Sequence, residues 1–306
     1  MSNDYLMVSD VGAAGLRELL RLAADAKANP ATYAGRLSGK TVGLFFEKPS
    51  TRTRVSCEVA TVDLGAHPVV LKRQEVGLGS REAVEDVARV LDRYLDVLAL
   101  RVFSHENLEK IADNADAPVI NLLSDLSHPC QGLADLQTIA EHRPLEGTRV
   151  AFVGDGNNVA HSLMVGAAMT GIHITVATPV GHEPADAVLD RVRSLATVGG
   201  GTVSVTNDPQ EAVAGADVVY TDVWASMGDE DDAERRREYF AAFQIDEPLF
   251  ATAADDAIFL HCLPAHRGEE VVHEVLEHPR SFAWDQAENR LHSFKAVLLY
   301  LTGTGS

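Results

Sequence analysis

Apolar positions along this chain keep changing their period, and the changes divide it into elements. From Ser9 to Ala28 the residues Leu16, Leu19, Leu20, Ala23 and Ala24 recur at helical spacing until Asn29-Pro30 stops them, which predicts a helix. "KTVGLFF" reads as a short buried strand, and the segment from Ser50 as a helix with Val55, Val59 and Val62 on one face. The alternation continues with a strand at Val69 to Leu71, a helix from Ser80 to Tyr94, the strand "DVLALRVF", a helix from His105 to Ala115, the strand "PVINLL" and the helix "LADLQTIAEH". After "RPLEGT", whose Pro and Gly mark a boundary, a second series begins. It runs through "RVAFV", a helix to Gly171, "HITVATP", a helix to Leu195, "TVSVTND", "ADVVYTDVW", an acidic loop and "AIFLHCLP", and closes on a helix from Asp285 to Leu301.

Two consecutive strand–helix series imply an α/β chain of two doubly wound parallel-sheet domains, each with its ligands beyond the carboxyl ends of the strands and the active site in the cleft between them. The expected division is residues 1–143, completed by the carboxyl-terminal helix 285–306, and residues 144–284. No internal repeat or low-complexity tract interrupts this plan.

Composition narrows the partners. A net charge of −19 argues against a nucleic-acid surface, and no apolar run approaches the roughly 18 residues that span a bilayer. With no basic-then-apolar leader in the sequence, the expected location is the cytoplasm. Twenty arginines stand against only six lysines, and acidic runs such as "GDEDDAE" suggest adaptation to a salty cytoplasm. Cys57, Cys130 and Cys262 lie far apart without metal-type spacing, so free thiols are expected and neither a disulfide framework nor a metal site.

Candidate chemistry gathers at strand ends. In "FFEKPSTRTR" a strand gives way to a helix that Ser50 is placed to cap, and the free N–H groups of the first turn join the hydroxyls of Ser50, Thr51 and Thr53. With Arg52 and Arg54 added, this is a phosphate pocket of the helix N-terminus kind. Arg101 ends the neighbouring strand, and "DLSHPCQ" puts His128 and Gln131 just before a helix at the same edge, donors suited to a carbonyl oxygen. "GDGNN" lacks the third glycine of a dinucleotide loop, since position 159 is Val159, so Asn157 and Asn158 suit a small polar ligand better. Asp222 in "DVWASMG" ends another strand where a carboxylate suits an ammonium, and Cys262 in "FLHCLP" follows the next.

Taken in this order, "STRTR", "HPCQ", "GDGNN", "DVWASMG" and "FLHCLP" resemble the ornithine carbamoyltransferase family over essentially the whole chain. The resemblance implies transfer of a carbamoyl group from carbamoyl phosphate to the δ-amine of L-ornithine, or the reverse, without metal or organic cofactor. By carry-over, Ser50, Thr51, Arg52, Thr53, Arg101, His128, Gln131, Cys262, Leu263 and Arg290 meet carbamoyl phosphate, while Asn158, Asp222, Ser226 and Met227 meet ornithine. Arg101, His128, Asp222 and Cys262 are the expected catalytic set. An alkyl ammonium with a pKa of about 10.4 leaves roughly one amine in two thousand free at neutral pH, so the site must favour the neutral form. The family habit implies a homotrimer or a stack of trimers, with neither nucleic acid nor membrane as partner. One departure is Gly77 in "EVGLGSRE", where many relatives carry a glutamine donated to the neighbouring subunit's site; Gln74 is out of register. Another amine acceptor, or an inactive subunit that binds carbamoyl phosphate, stays open at this point.

Overall fold

A computed structural model describes residues 4–225 and 233–305. The chain divides into two compact units, one of Met1–Ala134 with Glu288–Ser306 and one of Asp135–Ala287. The division falls inside the helix Pro129–His142, upstream of the "RPLEGT" turn, and again inside the helix Ala283–Leu301.

The first unit holds a four-stranded parallel sheet of β1 (Thr41–Phe46), β2 (His67–Lys72), β3 (Val97–Arg101) and β4 (Val119–Leu123), in the order β2-β1-β3-β4. β1, β3 and β4 are buried along almost their whole length because helices cover both faces, which explains why they read as continuous apolar runs. Chain direction across the sheet reverses between β1 and β3, where Phe46 pairs with Arg101. A switch point of that kind opens a crevice at the carboxyl edge.

The second unit repeats the plan with β5 (Arg149–Val153), β6 (His173–Ala177), β7 (Thr202–Thr206), β8 (Val218–Thr221) and β9 (Ile258–His261), in the order β7-β6-β5-β8-β9, all parallel. Its switch point lies between β5 and β8. The helix Asn158–Thr170 is buried from Asn158 to Met169, so it packs on the sheet without a polar face. Among the described residues no helix is long and apolar enough to cross a membrane.

Several expectations need correction in detail. Val55, Val59 and Val62 do share a face of the helix Thr51–Asp63, but they point outward at 53%, 42% and 59% exposure. The buried side is Thr53, Cys57, Ala60 and Thr61, small groups that let the helix lie close to the strands. The helix expected from Ser80 forms only over Val84–Asp92, because Gly77 and Gly79, with φ of +62° and +69°, keep the preceding segment in turns. A Cβ on Gly77 would also come within 2.6 Å of the Arg81 side chain. The helix after β4 begins at Pro129, so Gln131 lies inside its first turn and not before it. Short helices at Arg73–Val76, Pro209–Val213, Glu247–Phe250 and His273–Leu276 carry too few periodic positions to show in the pattern.

Candidate active site

In the first unit the phosphate-type turn is built as its composition suggests. Ser50 has extended dihedrals and caps the helix Thr51–Asp63, its Oγ accepting the N–H of Thr53 at 3.4 Å and donating to Thr53 Oγ1 at 3.1 Å. Thr51 and Arg52 are exposed at the rim and Thr53 is buried. Arg54 takes no part, since its Nε is bound to Glu58 one turn along at 2.6 Å. Glu47, a residue the sequence reading passed over, ties β1 to β3: its N–H donates to the Arg101 carbonyl and its carboxylate accepts the N–H of Phe103.

Arg290, on the final helix, joins the motifs. Its guanidinium donates to Gln131 Oε1 at 2.6 Å, to His128 Nε2 at 3.5 Å and to Thr53 Oγ1 at 3.4 Å, with all four side chains buried. Accepting at Nε2 leaves His128 its proton at Nδ1, so the ring is a neutral donor. Burial, then Arg290 and Arg101, hold its pKa well below the ordinary histidine value. Arg101 itself is pushed down to about 10 by burial first, then by Arg290 and Arg52, and its Nε has no hydrogen-bond partner among the described residues. Arg290 and Arg52 both act on Arg101, and guanidiniums beside the N–H groups of a helix start at a switch point are suited to an anion. Cys130, between His128 and Gln131, is buried and its thiol is pushed up to about 12, so it is inert.

The second unit gathers a different set. Gly154 and Gly156 let β5 turn tightly: a Cβ on Gly156 would meet the backbone of His182, Glu183 and Pro184 at 2.3–2.6 Å. Asn157 then caps the helix Asn158–Thr170 through Oδ1, which accepts from Val159 and Ala160, and donates its Nδ2 to Asp222 Oδ2 at 3.0 Å across the switch point. The other carboxylate oxygen of Asp222 accepts the Cys262 thiol at 2.9 Å and the N–H of Val223 at 2.8 Å. Burial, then the Asp222 carboxylate, pushes the Cys262 thiol far up, so at neutral pH it is a donor and not a thiolate. Asn158 is buried at the start of the same helix. Ser226 and Met227 lie outside the described residues.

Three supports here, His261, Glu270 and Arg236, were missed from sequence because their partners lie elsewhere along the chain. His261 accepts the N–H of Leu263 at Nδ1, fixing Leu263 at a φ of +58°, and its Nε2 meets Glu270 at 3.1 Å. Both ring nitrogens are therefore engaged, with Leu263 and Glu270, while the ligand-type atoms of Asp222, His261 and Cys262 lie within 4.8 Å of one another. Arg236, buried, spans Trp224 O at 2.5 Å and Asp155 Oδ2 at 2.5 Å, steadying the "GDGNN" turn.

Known proteins carry the same plan. Residues 3–141 match the family described as aspartate/ornithine carbamoyltransferase, carbamoyl-P binding domain, and residues 146–301 match its Asp/Orn binding domain. Ornithine carbamoyltransferase of Acidothermus cellulolyticus is 53% identical over 304 residues, covering 98% of this chain and 95% of that one. The Anoxybacillus flavithermus protein of the same name is 50% identical over 302 residues, 97% of this chain and 96% of its own. The solved ornithine carbamoyltransferase of Pyrococcus furiosus superposes with a TM-score of 0.95 at 47% identity, over 99% of this chain and 98% of that one. Two parallel-sheet units with these motifs at their switch points, matched end to end, show that the chain belongs to the aspartate/ornithine carbamoyltransferase family.

Proposed function

We propose that the protein transfers the carbamoyl group of carbamoyl phosphate to the δ-amine of L-ornithine, releasing citrulline and phosphate. The observation that carries the reading is Arg290, which gathers Thr53 from one motif and His128 and Gln131 from another around one buried guanidinium. In this reading Ser50, Thr51, Arg52 and Thr53 hold the phosphate, Arg101 and Arg290 neutralise it as it leaves, and His128 with Gln131 orients the carbamoyl end. A histidine held neutral suits a hydrogen-bond donor to a carbonyl oxygen, because it stabilises the developing oxyanion without giving up its proton. Asp222 faces the substrate ammonium with Cys262 donating into it, Leu263 shapes the neighbouring backbone, and Asn158, Ser226 and Met227 complete the amino-acid end. The amine, freed of its proton, attacks the carbonyl carbon, and collapse of the tetrahedral adduct breaks the bond to phosphate. Positioning and aligned charge supply the acceleration.

The working protein in this proposal is a cytoplasmic homotrimer. Free thiols at Cys57, Cys130 and Cys262 suit a reducing compartment. The outward valines Val55, Val59 and Val62 form an apolar stripe that a second copy would cover; light scattering on Val59→Lys, giving a smaller species than the parent, would support that surface. The deciding experiment is citrulline formation with ornithine, aspartate, putrescine and N-acetylornithine in parallel, in dilute and concentrated KCl. Turnover with ornithine alone is the expected result, and dependence on KCl would support the reading of the acidic surface. Turnover with another amine would sink the assignment of the Asp222 site.

A further inference from the structure

β9 is an edge of the second sheet, and its backbone bonds show which way each residue faces. Phe259 donates its N–H to the Arg280 carbonyl and accepts the N–H of Phe282, both at 2.9 Å, so it faces away from β8 toward the segment that leads into the last helix. Residues two apart on a strand turn their N–H groups to the same side, so His261 faces outward as well. By that point the outer segment has become the helix Ala283–Leu301, and a side chain supplies the acceptor: Gln286 Oε1 takes the His261 N–H at 2.8 Å. Gln286 Nε2 donates in turn to Asp135 Oδ1 at 2.6 Å, on the helix Pro129–His142, and the Tyr220 hydroxyl donates to Asp135 Oδ2 at 3.3 Å. Tyr220, Asp135, Gln286 and His261 are all fully buried, and the reaction just described uses none of them.

We propose that Gln286 and Asp135 are positioning residues that set the Cys262 sulfur against Asp222. The inference rests on the reading of an amine acceptor at Asp222. A carboxylate accepts and a backbone N–H donates, so the Gln286 amide between them has one orientation open to it, with its NH2 toward Asp135 and its oxygen toward His261. Asp135 thus fixes the amide, and the amide fixes His261, the residue before Cys262. On the inner side β9 is in register with β8, where His261 pairs with Thr221, the residue before Asp222. Held from both sides, the strand end brings Cys262 Sγ to Asp222 Oδ1 at 2.9 Å, and beyond it the His261 ring accepts the Leu263 N–H at 2.9 Å. Without the Gln286 oxygen the His261 N–H becomes a buried donor with no acceptor, a costly state. The strand end relieves it by turning toward water, and the adjoining sulfur moves with the backbone.

Gln286→Leu tests this because it keeps most of the side-chain bulk and removes the acceptor. Infrared spectra should show the Cys262 S–H stretch of the parent at the low frequency of a thiol bonded to a carboxylate, and shifted toward that of a free thiol in Gln286→Leu. Cys57 and Cys130 are buried, so iodoacetamide reports on Cys262, and its alkylation should quicken about 10-fold in the variant. Citrulline formation should lose about 10-fold or more in kcat/KM for ornithine, while the Kd of inorganic phosphate, held by the first unit, stays within about twofold. Gln286→Glu keeps an oxygen for the His261 N–H and can share a proton with Asp135, so it should fall between the parent and Gln286→Leu on each measure. If Gln286→Leu fails to fold, Gln286→Met makes the same deletion with a more pliable side chain and decides in its place. A folded deletion variant with the parental S–H band and alkylation rate overturns the proposal, whatever its activity, and so does a shifted band with parental kcat/KM. Absence of turnover by the parent with ornithine removes the ornithine reading alone, and the band and alkylation rate still decide whether Gln286 holds the sulfur.

Discussion

Arg290→Met separates what this side chain does for the free protein from what it does for an anion. In the free protein its ties are one short bond to Gln131 and two long contacts, to His128 and Thr53. A charge-assisted bond of that kind is worth about 1.5–3 kcal/mol. Against it stand burial and repulsion: Arg101 is lowered from the ordinary arginine value to about 10, with burial the larger cause and Arg290 the next, so keeping Arg101 charged costs on the order of 3 kcal/mol in total. Methionine returns part of that cost, removes the desolvation of a second buried guanidinium and packs its own apolar stem. The losses and gains are of similar size, so unfolding of the ligand-free variant should move by no more than about 1 kcal/mol, or roughly 2–4 °C in midpoint.

Anion binding should respond very differently. Removing two charge-assisted donors at about 1.5 kcal/mol each weakens carbamoyl phosphate by about 3 kcal/mol, or about 100-fold in Kd. Isothermal titration at 25 °C with carbamoyl phosphate, and with inorganic phosphate as the stable probe, measures one half; thermal unfolding in phosphate-free buffer measures the other. A midpoint lowered by more than about 8 °C with Kd changed less than threefold would show Arg290 to be a structural strut, and the argument for the anion site would fall.

Three further outcomes follow from the same geometry. His128, whose pKa is depressed by burial and by Arg290 and Arg101, contributes stability that is intact above the unfolded value of about 6.5 and is lost as pH falls below it, because the unfolded chain then binds the extra proton; urea midpoints at pH 7.5 and 5.5 should therefore lie closer together in His128→Gln than in the parent. Asp222→Asn removes the charge that, after burial, raises the Cys262 thiol, so alkylation of Cys262 by iodoacetamide at pH 8 should quicken while citrulline formation falls about 100-fold or more. Lys295 is nearly buried and meets the half-exposed Asp63 at 2.6 Å, so Asp63→Asn, which strands a buried ammonium, should cost about 1–3 kcal/mol in urea unfolding and Lys295→Met less; the reverse order would refute the claim.

What the sequence disclosed and what it hid divide along physical lines. Strands buried on both faces announce themselves as apolar runs, and strand ends of parallel sheets are where ligands bind, so the positions of Ser50, Arg101 and Asp222 at or just beyond strand ends are legible in the sequence. The face of the helix Thr51–Asp63 could not, because hydropathy ranks valine above threonine while close packing against strands favours the smaller group; Thr53 and Thr61 went inward and Val55, Val59 and Val62 outward. Arg290 has no local signature either: nothing in "ENRLHSF" marks it as the partner of Gln131, 159 positions away, and only the resemblance supplied it. The same holds more strongly for Tyr220, Asp135 and Gln286. A tyrosine in a strand reads as core, and an aspartate and a glutamine on helices read as solvated surface, yet all three are buried and Tyr220 and Gln286 both donate to Asp135. Buried polar groups are costly, so their pairing across the chain carries chemical meaning that single-residue patterns cannot express. That asymmetry explains why the groups that would touch substrate were legible while the buried polar pairs that brace the second unit were not: the former lie in loops whose composition departs from packing needs, and the latter lie inside elements that packing alone accounts for in the sequence.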